Sequence, residues 1–127
     1  MPSEIRLQRI ADRVKRELSE MLIHEISDPR VQQIYITDVN IDRELAYANI
    51  YVSAIEGSER AKEVLSGLES ASGFIRRALS QRVKLRSFPH LRFHWDPTLE
   101  QADRIEEIFA SIREDDERRK TNNEKTD

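Results

Sequence analysis

Residues 58–86, SERAKEVLSGLESASGFIRRALSQRVKLR, decide how the rest of this 127-residue chain is read. Apolar side chains recur at helical steps: Ala61, Val64, Leu65, Leu68 and Ala71, then Ile75, Ala78, Leu79 and Val83 in nearly the same register. Gly67, Ser70, Ser72 and Gly73 lie between or near the two sets, and Gly and Ser inside a helix weaken it and are common at kinks. The spacing predicts two helical segments joined by a bend around residues 70–73 rather than by a loop, because no turn-length insertion interrupts the period. Glu56-Gly57 breaks the preceding element, and Ser58 is a good N-cap. On a helical wheel Arg76, Arg77, Ser80 and Lys84 fall opposite Ile75 and Leu79, with Gly73 on the same outer side. A bare glycine there lets a phosphate backbone come close. A sharp bend would also free N–H groups at the positive end of the second segment's dipole.

The second half of this stretch opens the most basic part of an acidic protein. Net charge is −3, which by itself argues against a nucleic-acid partner. The distribution argues for one. Residues 71–95 carry Arg76, Arg77, Arg82, Lys84, Arg86 and Arg92 and no carboxylate, whereas residues 28–70 and 96–127 are each net acidic. The plain alternative is a solvated helix face, with the clustering due to chance.

Before this stretch, Ser3 can cap a helix whose stripe is Leu7, Ile10, Ala11, Val14, Leu18, Met21, Leu22 and Ile26, ending near Ser27 because Pro29 disfavours helix at Asp28. Arg6, Arg9, Arg13, Lys15 and Arg16 lie mostly off that stripe, and with equal acid nearby a solvated face is the favoured reading over an extended basic surface. Residues 34–42 and 45–55 read as a β-hairpin, with Ala46, Ala48, Ile50, Val52 and Ala54 on one face. Tyr47 and Tyr51 take the more solvated face, where packing or edge exposure is favoured over base stacking. After Ser87-Phe88-Pro89, the alternation of Leu91, Phe93 and Trp95 with Arg92 and His94 reads as a third strand. On a strand, His90 and His94 are too far apart to share a metal. Residues 98–101 fit a capping box for a last amphipathic helix carrying Leu99, Ala102, Ile105, Ile108, Phe109 and Ile112. The chain thus divides into one folded domain over 3–112 and a charged tail, 113–127, expected to be disordered.

Composition narrows the function classes. With no cysteine, disulfides and thiolate zinc sites are excluded. The polar N-terminus has no secretory core, and no apolar run approaches the roughly 20 residues that span a bilayer, so a soluble cytoplasmic protein is expected, with no membrane partner. No Gly-rich phosphate loop, metal triad or nucleophile–base frame stands out. No enzyme activity, cofactor, metal or small-molecule substrate is expected. Nothing signals an oligomer, and a monomer is expected. Two alternatives to RNA binding stand beside it: a helix-turn-helix DNA binder using the Gly73 bend, and a protein-interaction module whose basic face is incidental.

Several strings carry a resemblance: Asp28-Pro29-Arg30-Val31, the hairpin TDVNIDRELAYANIYVS, Ala71-Ser72-Gly73-Phe74-Ile75-Arg76, the run Leu85-Arg86 through Pro89, Leu91 and Phe93, and Asp96. In this order and spacing they resemble the bacterial ribosome-binding factor A family over about residues 3–112. The resemblance implies an α+β, type II KH-like domain, α-β-β-α-kink-α-β plus a C-terminal helix, with a three-stranded mixed sheet and helices packed on one face. It implies that Ala71-Ser72-Gly73 stands where KH domains carry their backbone-clamping GXXG loop. It also implies binding to the free 30S subunit through 16S rRNA, support of late 16S maturation including 5′-end processing, and particular importance in the cold. On this reading the RNA-binding residues are Ala71, Ser72, Gly73, Arg76, Arg77, Ser80, Arg82, Lys84 and Arg86. Reversing Arg76 and Arg77 to Glu is expected to weaken binding with the fold intact. The strongly acidic C-terminal segment departs from what an RNA-binding face needs.

Overall fold

Ser3 caps the first helix as its position predicts: its hydroxyl accepts the Arg6 amide at 3.2 Å. The computed structural model describes residues 3–98, 100, 106 and 108–114. Met1–Asp96 make one compact unit and Pro97–Asp127 a second.

Helix α1 spans Glu4–His24 and buries Ile10, Ala11, Val14, Leu18, Met21 and Leu22, the predicted stripe. It stops at His24 rather than near Ser27, and Ile26 still turns into the core. The Asp28-Pro29-Arg30-Val31 string closes into a single 3-10 turn. One Asp28 carboxylate oxygen accepts the Arg30 amide at 2.9 Å, and the other holds the Arg30 guanidinium at 2.7 Å. Val31 is thereby driven into the core at 1 % exposure.

Strands β1 (Ile34–Ile41) and β2 (Tyr47–Ala54) are antiparallel, and β3 (His90–Trp95) runs parallel to β2, giving the order β1-β2-β3. The hairpin turn is longer than the sequence suggested. Asp42 and Leu45 belong to it, not to the strands, because Asp42 Oδ1 accepts the amides of Ala46 and Tyr47 at 2.8 and 3.0 Å while Leu45 takes φ 56°. A bulge at Thr37 shifts the β1 register between Ile36 and Asp38, which keeps Ile36, Val39 and Ile41 all facing the core. The Thr37 hydroxyl donates to the Asp96 carboxylate, tying the bulge to the residue that follows β3.

Both helices cover the same sheet face, α1 over β1 and the second helix over β3. That second helix, α2, spans Ala61–Arg82 and is preceded by a 3-10 turn at Ser58–Arg60. Ser58 does not cap it: Gly57, at φ 92°, enters the turn with no side-chain cap. The predicted junction at Ala71-Ser72-Gly73 lies inside one 22-residue helix. Val64 and Leu68 before it, and Ile75 and Leu79 after it, are all fully buried. Each such side chain contributes about 1.5–3 kcal/mol, which outweighs the roughly 1 kcal/mol that a mid-helix glycine costs. The N–H groups that a second helix start would have freed are therefore in helical backbone, and no helix-turn-helix forms at Gly73.

Gly67 rather than Gly73 is the glycine that packing requires. A Cβ on Gly67 would meet Val31 Cγ1 at 2.8 Å and Arg30 Cβ at 3.0 Å, so α2 rests directly on the 3-10 turn. The other face of the sheet carries Tyr47 and Tyr51, half-buried, with Tyr51 stacked on His94 at 5.0 Å and the Arg92 guanidinium 3.5 Å above the Tyr47 ring. His94 Nε2 lies 2.9 Å from Asn49 Oδ1. In the second unit, residues 108–114 are helical, with Ile108, Phe109 and Ile112 exposed. Leu99, Ala102 and Ile105 of the expected last stripe, Gln101 of the expected cap, and 115–127 of the expected tail lie outside the described residues.

Candidate nucleic-acid interface

The predicted RNA-binding residues fall on the second half of α2 and the segment leading to β3, in three different environments. Gly73, Arg77 and Ser80 share the outward face of α2 and are exposed. A Cβ built on Gly73 meets nothing within 4 Å, so the fold itself does not need a glycine there and the backbone is open to a close approach. Arg77 Nε donates to the Gly73 carbonyl at 3.3 Å, and the Ser80 hydroxyl donates to the Arg77 carbonyl at 2.7 Å. Arg77 makes no ion pair among the described residues, and its charge faces solvent beside the open glycine. Ala71 and Ser72 are half-buried, and Ala71 packs against the core, so these two hold the face rather than form it.

Arg76 points to the sheet side. Its guanidinium donates to the carbonyls of Phe88 at 2.6 Å and Pro89 at 3.1 Å, satisfying two acceptors in a buried turn. This overturns the expectation that Arg76 and Arg77 are equivalent and that reversing both leaves the fold intact: a glutamate at 76 would face two carbonyl oxygens. Arg76 and Arg86 line one cleft of about 440 Å³ together with Glu44, Leu45, Phe88 and His90. Arg86 is exposed there.

Arg82 is half-buried and largely committed. It pairs with Glu25 at 2.5 Å and approaches Glu17 at 4.0 Å. Hydrogen bonding to Arg82 holds the Glu25 carboxyl below the usual carboxylate range, against a smaller opposing effect of desolvation. Lys84 is exposed and has no ion pair among the described residues. It lines a second cleft, with Arg82, Val83 and Leu85 on one side and Arg6, Arg9, Ile10 and Arg13 of α1 on the other. The sequence reading favoured a plain solvated face for those α1 arginines. The signal was present in their spacing, which puts Arg6, Arg9 and Arg13 on one side of α1. The partner wall, some 70 residues away in the chain, was not visible.

The exposed cations of the predicted set with no ion pair among the described residues are thus Arg77, beside the open glycine on α2, and Lys84 and Arg86 on the segment that follows the helix, each lining a different cleft. Side chains of this kind contact phosphate oxygens and position a nucleic-acid backbone without reading sequence. Arg92, the remaining cation of the basic window, is engaged on the Tyr47 ring. Among the described residues no cluster of His, Asp or Glu could hold a metal ion, and no helix is long and apolar enough to cross a membrane.

An α-β-β-α-β domain with β2 central and both helices on one sheet face defines a small α+β protein with a three-stranded mixed sheet. The sequence profile of ribosome-binding factor A matches residues 6–109, and the chain belongs to that family. It is 41 % identical over 120 residues to ribosome-binding factor A of Aromatoleum aromaticum, covering 94 % of each protein. The crystal structure of ribosome-binding factor A from Thermus thermophilus superposes with a TM-score of 0.63 at 26 % identity, over 70 % of this chain and 93 % of that one. A Thermus thermophilus ribosome binding factor A fitted as a homology model into the cryo-EM map of a 30S complex gives a TM-score of 0.54 at 29 % identity, over 65 % of this chain and 87 % of that one.

Proposed function

We propose that this protein binds the free 30S ribosomal subunit through 16S rRNA and supports late 16S rRNA maturation, including processing at the 5′ end, without itself catalysing a step. The observation that carries the reading is the set of exposed cations Arg77, Lys84 and Arg86 on α2 and the segment after it, the first of them beside a glycine whose Cβ position is open. Membership of the ribosome-binding factor A family and the Thermus relative's placement in a 30S complex support the choice of partner. A rigid helix face that engages phosphates through a few exposed cations suits a holder of rRNA conformation: it positions a backbone and releases it again. The nucleases that trim the precursor are then separate proteins. On this reading the protein acts on ribosomal subunits in the cytoplasm, as a monomer. Its importance is greatest in the cold, where rRNA misfolds more persistently.

The test is co-sedimentation with purified 30S and 70S particles at about 50 and 200 mM salt. Each phosphate contact should weaken binding about threefold across that range. Association with 30S but not 70S, weakening with salt, is expected. Association with neither particle, or trimming of precursor rRNA by the purified protein alone, refutes the reading.

A further inference from the structure

The cleft between α1 and the exit of α2 is not part of the outward α2 face, and its chemistry is distinctive. It encloses about 410 Å³, and its lining residues are Arg6, Arg9, Ile10, Arg13, Arg82, Val83, Lys84 and Leu85. All five ionisable side chains in that lining are cations. Carboxylates approach from outside: Glu17 lies 4.0 Å from both Arg13 and Arg82, Glu25 pairs with Arg82, and Glu20 acts on Arg82 by its charge. Arg6, Arg9 and Lys84 have no ion pair among the described residues. The two walls are held together across the gap, because Arg13 Nη2 donates to the Arg82 carbonyl at 3.3 Å.

Like charges gathered around a concave, low-dielectric wall repel one another and focus a positive potential into the cleft. Among the described residues the carboxylates that offset these five cations act on Arg82 and Arg13, leaving Arg6, Arg9 and Lys84 without an ion pair, so an anionic occupant is favoured. The volume lies within the range of sites that hold a small organic group, roughly 300–1,000 Å³. At the floor of the cleft Ile10 and Val83 are buried in the core and Leu85 is half-exposed, while the arginine guanidinium planes on both sides are of the kind on which an unstacked base stacks. Arg82 and Lys84 also belong to the basic segment that continues from the α2 face.

We propose that this cleft is a second RNA-binding site, which receives one unstacked nucleotide of the bound rRNA, its phosphates held by Arg6, Arg9 and Lys84 and its base beside Leu85 and the arginine planes of the walls. The inference rests on the 16S rRNA reading above and extends it onto the first helix. The RNA path then runs from the Gly73–Arg77 face past Lys84 to α1.

The test uses the full chain with purified 30S subunits. Arg6→Glu with Arg9→Glu changes two exposed side chains, and a glutamate in the first turns of α1 suits the helix dipole. The double variant should keep its urea midpoint, bind 30S at least about tenfold more weakly, and lose about two contacts' worth of salt dependence. Arg6→Gln with Arg9→Gln, which adds no negative charge, should show the same loss in smaller measure. The chain has no cysteine, so Leu85→Cys carries a unique benzophenone label. On 30S it should cross-link to 16S rRNA at an unpaired nucleotide. If Arg77→Glu with Arg86→Glu loses binding while both α1 variants bind like the unaltered protein, the cleft proposal is overturned and the rRNA reading stands. A cross-link exclusively to ribosomal protein also overturns the cleft proposal. If the unaltered protein fails to bind 30S, both readings fall.

Discussion

Gly67 and Gly73 sit in the same helix six residues apart, and replacing each with alanine should move stability in different ways. Alanine is favoured over glycine in a helix interior by about 0.8–1.0 kcal/mol, partly by restricting the unfolded chain, and this gain is common to both positions. At Gly73 nothing opposes it, because the added methyl meets no atom within 4 Å. At Gly67 the methyl would lie 2.8 Å from Val31 Cγ1 and 3.0 Å from Arg30 Cβ. Ordinary carbon contacts are about 3.5–4.0 Å, so the overlap is roughly 0.5–1.2 Å. Neither neighbour yields easily. Val31 is β-branched and 1 % exposed, and the Arg30 backbone is held by Asp28 and, through its carbonyl, by Arg60. Overpacking of this kind costs about 1–3 kcal/mol. Because the helix-propensity gain cancels in the comparison, Gly67→Ala should be less stable than Gly73→Ala by about 1–3 kcal/mol. Urea denaturation followed by circular dichroism measures the difference, and at a slope of about 1.5 kcal/mol per M the midpoints should separate by about 0.7–2 M. Adding Val31→Ala should recover part of the Gly67→Ala loss, a coupling visible in a double-mutant cycle. Equal stability of the two single variants, or a more stable Gly67→Ala, would show that α2 does not rest on the 3-10 turn as described. Gly73→Ala should be more stable than the unaltered protein and yet bind 30S more weakly.

Arg76→Ala should lose about 1.5–3 kcal/mol in urea, because it strips two buried carbonyls of a charged donor, whereas Arg77→Ala should stay within about 0.5 kcal/mol of the unaltered protein. Lysine at 76 should restore little, since one ammonium does not reproduce the fork of a guanidinium. Asp42→Ala removes the acceptor of two turn amides and should cost about 1–2 kcal/mol, read from the same curves and from faster amide exchange at Ala46 and Tyr47. The Asp28 carboxyl is held below its ordinary value of about 3.9, chiefly by its hydrogen bonds from the Arg30 guanidinium. Its contribution is therefore full above about pH 4 and disappears as pH falls through the lowered folded value. Stability of the unaltered protein should drop over that acid window, and Asp28→Asn should drop less. An identical acid slope in the two proteins would remove Asp28 from that role.

Elements whose signal is local were legible from residue order. The Ser3 cap, the α1 stripe and the β2 face of Ala48, Ile50, Val52 and Ala54 stand where spacing puts them. Ser72 and Gly73 mark a weak point by their own propensity, and Leu68 and Ile75 on either side are buried within one helix with no intervening loop, as the unbroken period requires. What was missed depends on partners distant in the chain. Gly67 looked like the same kind of weak point, and its partner, Val31, lies in another turn. Arg76 and Arg77 are adjacent and chemically identical, and only the position of the Phe88-Pro89 turn makes the first a clamp and leaves the second free. The α1 arginines gained meaning only when the fold set Lys84 and Arg82 across from them.

If the exposed cations of α2 and the segment after it hold rRNA on the 30S subunit, the 30S affinity of Arg77→Glu with Arg86→Glu, measured across a salt series beside the unaltered protein, must show it. Affinity should fall at least about tenfold at about 100 mM salt with the urea midpoint unchanged, and the dependence on salt should flatten by about two phosphate contacts. An unchanged affinity and an unchanged salt slope in the folded variant would contradict the claim.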